Sequence, residues 1–275
     1  MSHADGHFEG AGGNDIYWQT WLPDGPPRAV VVIAHGASEH SGRYAWTAEQ
    51  LVVRGYGVYA LDHRGHGRSS GSRALIEKID YAVADIGTVV GRATAQHGTP
   101  YLLGHSIGGC LALAYATRHQ QTLAGLMLSA PVAVLEAASP FQRLAGHVLS
   151  AIAPKLGVYS IDSSTVSRDP EVVRDYDADP LNYHGKLPAR TVAELSNEVG
   201  RFPATIPALT LPLLVMVGTG DLLVPPDASE LVYELASSDD KTIEHYEGLY
   251  HEILNEPERD QVVADLLAWL DEHAR

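Results

Sequence analysis

Cysteine is almost missing from this chain: Cys110 is the only one in 275 residues. An intramolecular disulfide is therefore excluded, and so is a metal cluster built on thiolates. Basic residues are scarce as well. Nineteen Lys and Arg stand against 34 Asp and Glu, a formal charge of −15 with histidine neutral. Such a chain repels phosphate backbones, which argues against nucleic acid as a partner. The same deficit argues against docking on anionic lipid through a polybasic patch; the acid excess reads as a solvated surface. No apolar run approaches the ~20 residues that a membrane helix requires. The first ten residues carry neither a basic n-region nor an apolar h-region, so no secretory signal is expected and the cytoplasm is the expected location. The sequence shows no repeats, low-complexity tracts or long linkers.

Apolar residues, by contrast, make up 45% of the chain and charged ones 19%, enough for a sizeable core and against disorder. Residues 29–34, Ala-Val-Val-Val-Ile-Ala, form a short continuous apolar run, the pattern of a strand buried on both faces. Similar runs recur at 56–61, 101–103, 123–128 and 213–217. Helical stretches separate most of them, at 43–54, 79–97, 107–119 and 229–236, and 256–273 closes the chain with another. Residues 17–22, behind Gly12-Gly13-Asn14, read as one arm of an opening hairpin. Buried strands alternating with helices predict an α/β fold, with a mainly parallel central sheet and helices on both faces.

The alternation fails between Pro131 and Pro212. There Phe141, Leu144, Val148, Ile152 and Leu156 fall at helical spacing behind a Ser139-Pro140 start, and an acidic, proline-punctuated stretch follows at 167–188. The pattern predicts a mostly helical cap, residues 132–211, inserted into a core of 1–131 and 212–275. It should lie over the sheet's carboxyl edge, where ligands bind in open α/β folds. Its apolar helical face either roofs the substrate or rests on lipid.

Chemistry concentrates in Gly104-His105-Ser106-Ile107-Gly108, a G-x-S-x-G placed between a predicted strand and a predicted helix. That context is what a nucleophile elbow demands, since the tight turn lifts the serine hydroxyl above the sheet at the positive end of the helix. Cys110, one turn further on, reads as a packing residue. A serine hydroxyl needs a base, and the base needs a carboxylate to orient it. In the order nucleophile, acid, histidine, Asp221 ends the segment after a predicted strand, and Asp227, its nearest rival, falls at the start of the next helix. Among 14 histidines, His251 combines a late position, a loop after the strand at 242–246, and an approach through Gly248-Leu249-Tyr250. His251-Glu252-Ile253-Leu254-Asn255 begins like the zinc motif H-E-x-x-H, but Asn255 stands where the second histidine is required, so no metal is expected. Gly65-His66-Gly67-Arg68-Ser69-Ser70-Gly71 misses the G-x-G-x-x-G spacing of a nucleotide site.

The alkoxide formed on an ester needs two donors. The Ile107 N–H is one; the other should come from the loop after residues 29–34, with Ala37 as the donor beside Gly36. Glu39 and Arg43, four apart, read either as a pair bracing that loop or as an ordinary surface ion pair.

Together these segments resemble the monoacylglycerol lipases (monoglyceride lipases) of the α/β-hydrolase superfamily. His35-Gly36-Ala37-Ser38-Glu39-His40-Ser41-Gly42-Arg43-Tyr44 is similar to that family's oxyanion loop. Asp62-His63-Arg64-Gly65-His66-Gly67-Arg68-Ser69 resembles its D-x-x-G-H-G-x-S segment. Gly104-His105-Ser106-Ile107-Gly108-Gly109 resembles its elbow, with Ile107 in place of the commoner methionine. Ser167-Arg168-Asp169-Pro170 and Asp179-Pro180-Leu181 resemble cap landmarks, and Tyr246-Glu247-Gly248-Leu249-Tyr250-His251-Glu252 the histidine loop. The resemblance implies an α/β-hydrolase fold and hydrolysis of a monoacylglycerol to a fatty acid and glycerol, with no cofactor. It also implies that Glu39 and Arg43 help to arrange the polar end of a substrate site. A lipid ester is then the expected small-molecule partner, with transient contact to a lipid surface or micelle. The rival readings are a lysophospholipase or general carboxylesterase with the same triad and, in another class, a non-catalytic binding protein on this scaffold.

Overall fold

A run that is apolar at every position has no side to offer to water, and all five such runs become strands covered on both faces. The computed structural model describes residues 1–134 and 140–274. Strands β1 (Ser2–Glu9) and β2 (Asp15–Leu22) make the opening hairpin, pairing antiparallel from Ser2 opposite Leu22 to Glu9 opposite Asp15. There follow β3 (Val30–Ala34), α1 (Ala45–Val53), β4 (Gly57–Leu61), α2 (Ile79–His97), β5 (Tyr101–His105), α3 (Ile107–His119) and β6 (Gly125–Ser129). The chain then leaves the sheet for α4 (Pro140–Ile152), β7 (Gly157–Tyr159), α5 (Pro170–Ala178), β8 (Leu187–Pro188), α6 (Ala189–Val199) and the short α7 (Phe202–Thr205). It returns for β9 (Leu213–Gly218), α8 (Asp227–Leu235), β10 (Lys241–Tyr246) and α9 (Arg259–His273).

The strand order is β1-β2-β4-β3-β5-β6-β9-β10. Strand β2 runs antiparallel to both neighbours, and the pairs from β4 to β10 are parallel. This is a doubly wound, mainly parallel α/β sheet, the architecture that the sequence pattern predicts. Side-chain alternation sorts each strand between two cores. Val30, Val32 and Ala34 of β3 join the cluster with α2, α3 and α8, whereas Val31 and Ile33 join the one with α1 and α9. Ile33 is fully buried, so truncation to alanine would cost about 2–5 kcal/mol. From β3 the chain winds to one side through β4, then crosses to the other with β5, which pairs directly with β3. The reversal leaves a crevice outside the carboxyl ends of these two strands, and the loop after β3 and the turn after β5 meet there.

The segment between β6 and β9 has two unlike halves. Helix α4 begins at Pro140, as the spacing predicts; Ser139 and the side chains of Phe141 and Leu144 lie outside the described residues. Val148, Ile152 and Leu156, the rest of that apolar face, are 50%, 76% and 51% exposed. Helix α5 is capped by Asp169, whose carboxylate accepts the Glu171 N–H, with Pro170 in the first turn, a pairing of cap and proline that the sequence displays openly. Helix α6 is fastened to the core. Thr191 Oγ1 donates to the Ala74 carbonyl and accepts the Ile76 N–H, and Glu194 accepts the Ile79 N–H. Both carboxylate oxygens of Glu198 accept from Arg118 Nη2 at 2.8 Å. Leu195, Phe202, Ile206 and Leu209 are buried in the same apolar cluster as β3, α2 and α3.

Candidate active site

Strand β5 ends at His105, and the chain must reverse into α3 within one residue. Ser106 makes that turn at φ 55° and ψ −121°, a left-handed backbone that a residue with a side chain keeps only when its surroundings enforce it. Here they do. The Ser106 N–H donates to the Ser129 carbonyl, and its own carbonyl accepts from the Cys110 and Val132 N–H groups. A Cβ on Gly104 would stand 2.6 Å from the Gly108 carbonyl oxygen, and one on Gly108 would stand 2.2 Å from those of Ala34 and His35. Only glycine permits that approach of helix, strand and loop.

Above the turn, the Ser106 hydroxyl lies 2.8 Å from His251 Nε2, and His251 Nδ1 lies 2.7 Å from Asp221 Oδ2. An ionised carboxylate only accepts, so Nδ1 carries the proton and Nε2 is free to accept from the serine. Asp221 is held in turn by the Leu223 and Val224 N–H groups on its other oxygen. All three side chains are buried. Asp227 sits exposed in the first turn of α8, away from this chain of hydrogen bonds. Of the other late histidines, His245 pairs with Glu230 and His273 with the Trp269 carbonyl. A hydroxyl bonded to an imidazole whose tautomer is set by a buried carboxylate is equipped for attack on a carbonyl.

Ile107 opens α3, so its N–H projects from the helix start; Ala37 lies in the loop after β3. Neither N–H has an acceptor among the described residues. A Cβ on the neighbouring Gly36 would come within 3.2 Å of Ser106 Cβ, so this loop lies directly against the nucleophile. Behind it pack three buried imidazoles. His35 Nδ1 donates to the Gly36 carbonyl, its Nε2 accepts the His63 N–H, and His63 Nε2 donates back to the His35 carbonyl. Burial, and then the neighbouring rings, hold His35 well below the usual imidazole pKa and His63 down at about 3; burial holds His66 at about 4. His105, with its ring 4.7 Å from that of His251, is held at about 3 by burial and the adjacent imidazole. All four stay neutral near pH 7.

The Glu39–Arg43 pair is no surface ion pair. Glu39 is 1% exposed, and its two oxygens take the Gly36 N–H at 2.5 Å, the Tyr44 hydroxyl at 2.8 Å and Arg43 at 2.7 Å. Arg43 also forks onto Glu252, and its guanidinium carbon lies 4.9 Å from the Tyr176 ring centre on α5. Burial disfavours every charge here, pushing the Glu39 pKa up; Arg43 brings that of Glu252 down, and the two carboxylates raise that of Arg43. Glu252 and Tyr176 went without a role in the sequence reading. Their partner is 209 residues from one and well over a hundred from the other, so no local pattern could announce them.

The chain shares this architecture with proteins of known sequence and structure. The profile of a family described as serine aminopeptidase S33 (Hydrolase_4) matches residues 25–258. A monoacylglycerol lipase of Mycolicibacterium smegmatis is 43% identical over 97% of this chain and 96% of its own. Human monoglyceride lipase is 36% identical over 97% and 90%. The crystal structure of Paleococcus ferrophilus monoacylglycerol lipase superposes with a TM-score of 0.86 at 31% identity, covering 94% of this chain and 99% of that one.

Proposed function

The chain belongs to the monoacylglycerol lipase family of the α/β-hydrolases, and on that premise we propose that it is a serine esterase cleaving monoacylglycerols to a fatty acid and glycerol. The hydrogen-bonded chain Ser106–His251–Asp221 carries this reading. Ser106 Oγ attacks the ester carbonyl carbon while His251 Nε2 takes the hydroxyl proton. Asp221 keeps the imidazole oriented and stabilises its cation. The alkoxide settles between the Ala37 and Ile107 N–H groups at the positive end of α3. Collapse of the adduct breaks the ester C–O bond, and the proton on His251 passes to the departing glycerol oxygen. Water, deprotonated by the same imidazole, then frees the fatty acid and restores Ser106.

In this reading residues 132–211 are the cap over a core of 1–131 and 212–275, and Glu39 and Arg43 shape the polar end of the site from behind the oxyanion loop. The exposed Val148, Ile152, Leu156, Val158 and Tyr159 support transient contact of the cap with neutral lipid or micelles, since large uncovered apolar surface marks an interaction face. No helix among the described residues is long and apolar enough to cross a membrane; a cytoplasmic enzyme that visits lipid surfaces fits both observations.

Ser106→Ala should abolish ester hydrolysis and labelling by a fluorophosphonate without unfolding the chain; labelling at another serine would sink the assignment. Matched mono-, di- and triacylglycerols, with lysophospholipids alongside, should give the highest kcat/KM for the monoacylglycerol. Equal efficiency on triacylglycerol, or a preference for lysophospholipid, would move the substrate assignment.

A further inference from the structure

We propose that Glu252 is a positioning residue, which through Arg43 and Glu39 ties the loop carrying His251 to the loop carrying Ala37. The inference rests on the serine-esterase reading above and deepens it. Glu252 follows the proposed base directly in sequence, yet its carboxylate turns to Arg43 rather than to the triad. Two contacts of 2.7 and 2.6 Å join them fork to fork, a geometry that fixes orientation as well as distance. Arg43 passes the constraint to Glu39 Oε2 at 2.7 Å, and Glu39 Oε1 holds the Gly36 N–H at 2.5 Å. Only two side chains therefore separate Glu252 from the peptide beside Ser106. A rotation of that peptide swings the next N–H, that of Ala37, away from the developing oxyanion.

The linkage is braced on all sides. Asn255 Nδ2 donates to Glu252 Oε2 at 2.9 Å, the Tyr44 hydroxyl donates to Glu39, and the Glu252 N–H donates to the Val166 carbonyl of the insertion at 2.8 Å. With Tyr176 over Arg43, the two reaction loops and the insertion converge on one guanidinium. A buried ion pair is by itself weak ground for stability, because apolar side chains of similar size often replace it without loss. What distinguishes this one is that both of its ends lie on groups assigned to the reaction.

The test begins with the whole chain and Glu252→Gln, which keeps the volume but breaks the bidentate fork. With a soluble p-nitrophenyl ester, kcat should fall roughly tenfold to a hundredfold, the scale of a misplaced oxyanion donor. KM should move by less than about threefold, as expected when only transition-state contacts are lost. A trifluoromethyl ketone, which Ser106 converts to a bound oxyanion, should lose affinity by the same factor as kcat. The triple variant Glu39→Gln, Arg43→Met and Glu252→Met, which leaves no unpaired buried charge, separates positioning from scaffolding: it should recover the parental melting temperature while kcat stays low. Full recovery of kcat in the triple variant, or unchanged kcat in Glu252→Gln, would overturn the inference. If Glu252→Gln does not fold, the triple variant alone decides. A parent chain that fails to label with a fluorophosphonate defeats the esterase reading itself; a parent that labels while Glu252→Gln turns over normally defeats only the role of Glu252.

Discussion

Each half of the insertion between β6 and β9 carries an amphipathic helix, α4 in the first and α6 in the second, and the two behave in opposite ways. Helix α6 lays Leu195 into the core cluster and secures its rim through Thr191, Glu194 and Glu198, whereas α4 leaves Val148 and Ile152 in solvent. An apolar stripe states only that something must cover it. For α6 the cover is α2 and α3 of the same chain; for α4 the described residues leave half of Val148 and three-quarters of Ile152 uncovered. The insertion is therefore fastened to the core along α6 and open to water along α4.

The largest effect on stability should come from acid, acting on the core to which only α6 is fastened. His63 and His66 pack behind the loop after β3, and His105 sits in the elbow; burial depresses the pKa of each, to about 3, 4 and 3. A histidine depressed in the folded state binds its proton more readily when unfolded. Its stabilising contribution is thus complete above the unfolded value near 6.5 and falls as the pH drops from there towards the folded value. Each of the three should take away about 1.4 kcal/mol per pH unit over that window. Urea titrations from pH 7 to 4.5 should show the fall; a flat profile would mean that these imidazoles are charged or solvated in the folded chain.

Next in size is truncation of the fastened half. Phe202 is completely buried, and Phe202→Ala should cost about 3–5 kcal/mol. The same measurement on Ile152→Ala should register within ~0.5 kcal/mol, as for an exposed position without special contacts. A comparable loss at both sites would erase the distinction between the fastened and the exposed half. The smallest stability change belongs to Ile152→Ser, for which the informative readout is binding. Flotation with neutral phosphatidylcholine vesicles should weaken, while hydrolysis of a short soluble ester stays at the parental rate. Unaltered flotation would leave the α4 face without a role on lipid.

Most of the central sheet was legible because its strands are covered on both faces. Residues 29–34, 101–103 and 213–217 are apolar at nearly every position, and helices 79–97 and 107–119 match α2 and α3 end to end. The hairpin was half legible: β2 followed its turn, but β1 (Ser-His-Ala-Asp-Gly-His-Phe-Glu) is an edge strand with mostly exposed residues, so no burial pattern marks it. Ser106 was readable because the elbow needs small residues at fixed spacing. Asp221 and His251 were readable because each follows a strand in the expected order.

What the sequence determined by itself was thus the local grammar: which segments are buried strands, where the elbow turns, and which serine, carboxylate and histidine come in the order this chemistry uses. Such features depend on neighbours a few residues apart, where sterics and burial act directly. Tertiary structure decided the rest. It made Glu39 and Arg43 a buried pair rather than a surface one, brought Glu252 to them across 209 residues, and gave α6 a core to cover while leaving Val148 and Ile152 in water. Those outcomes depend on electrostatics and packing between segments distant in the chain, and nothing in the spacing of residues encodes which distant partner arrives.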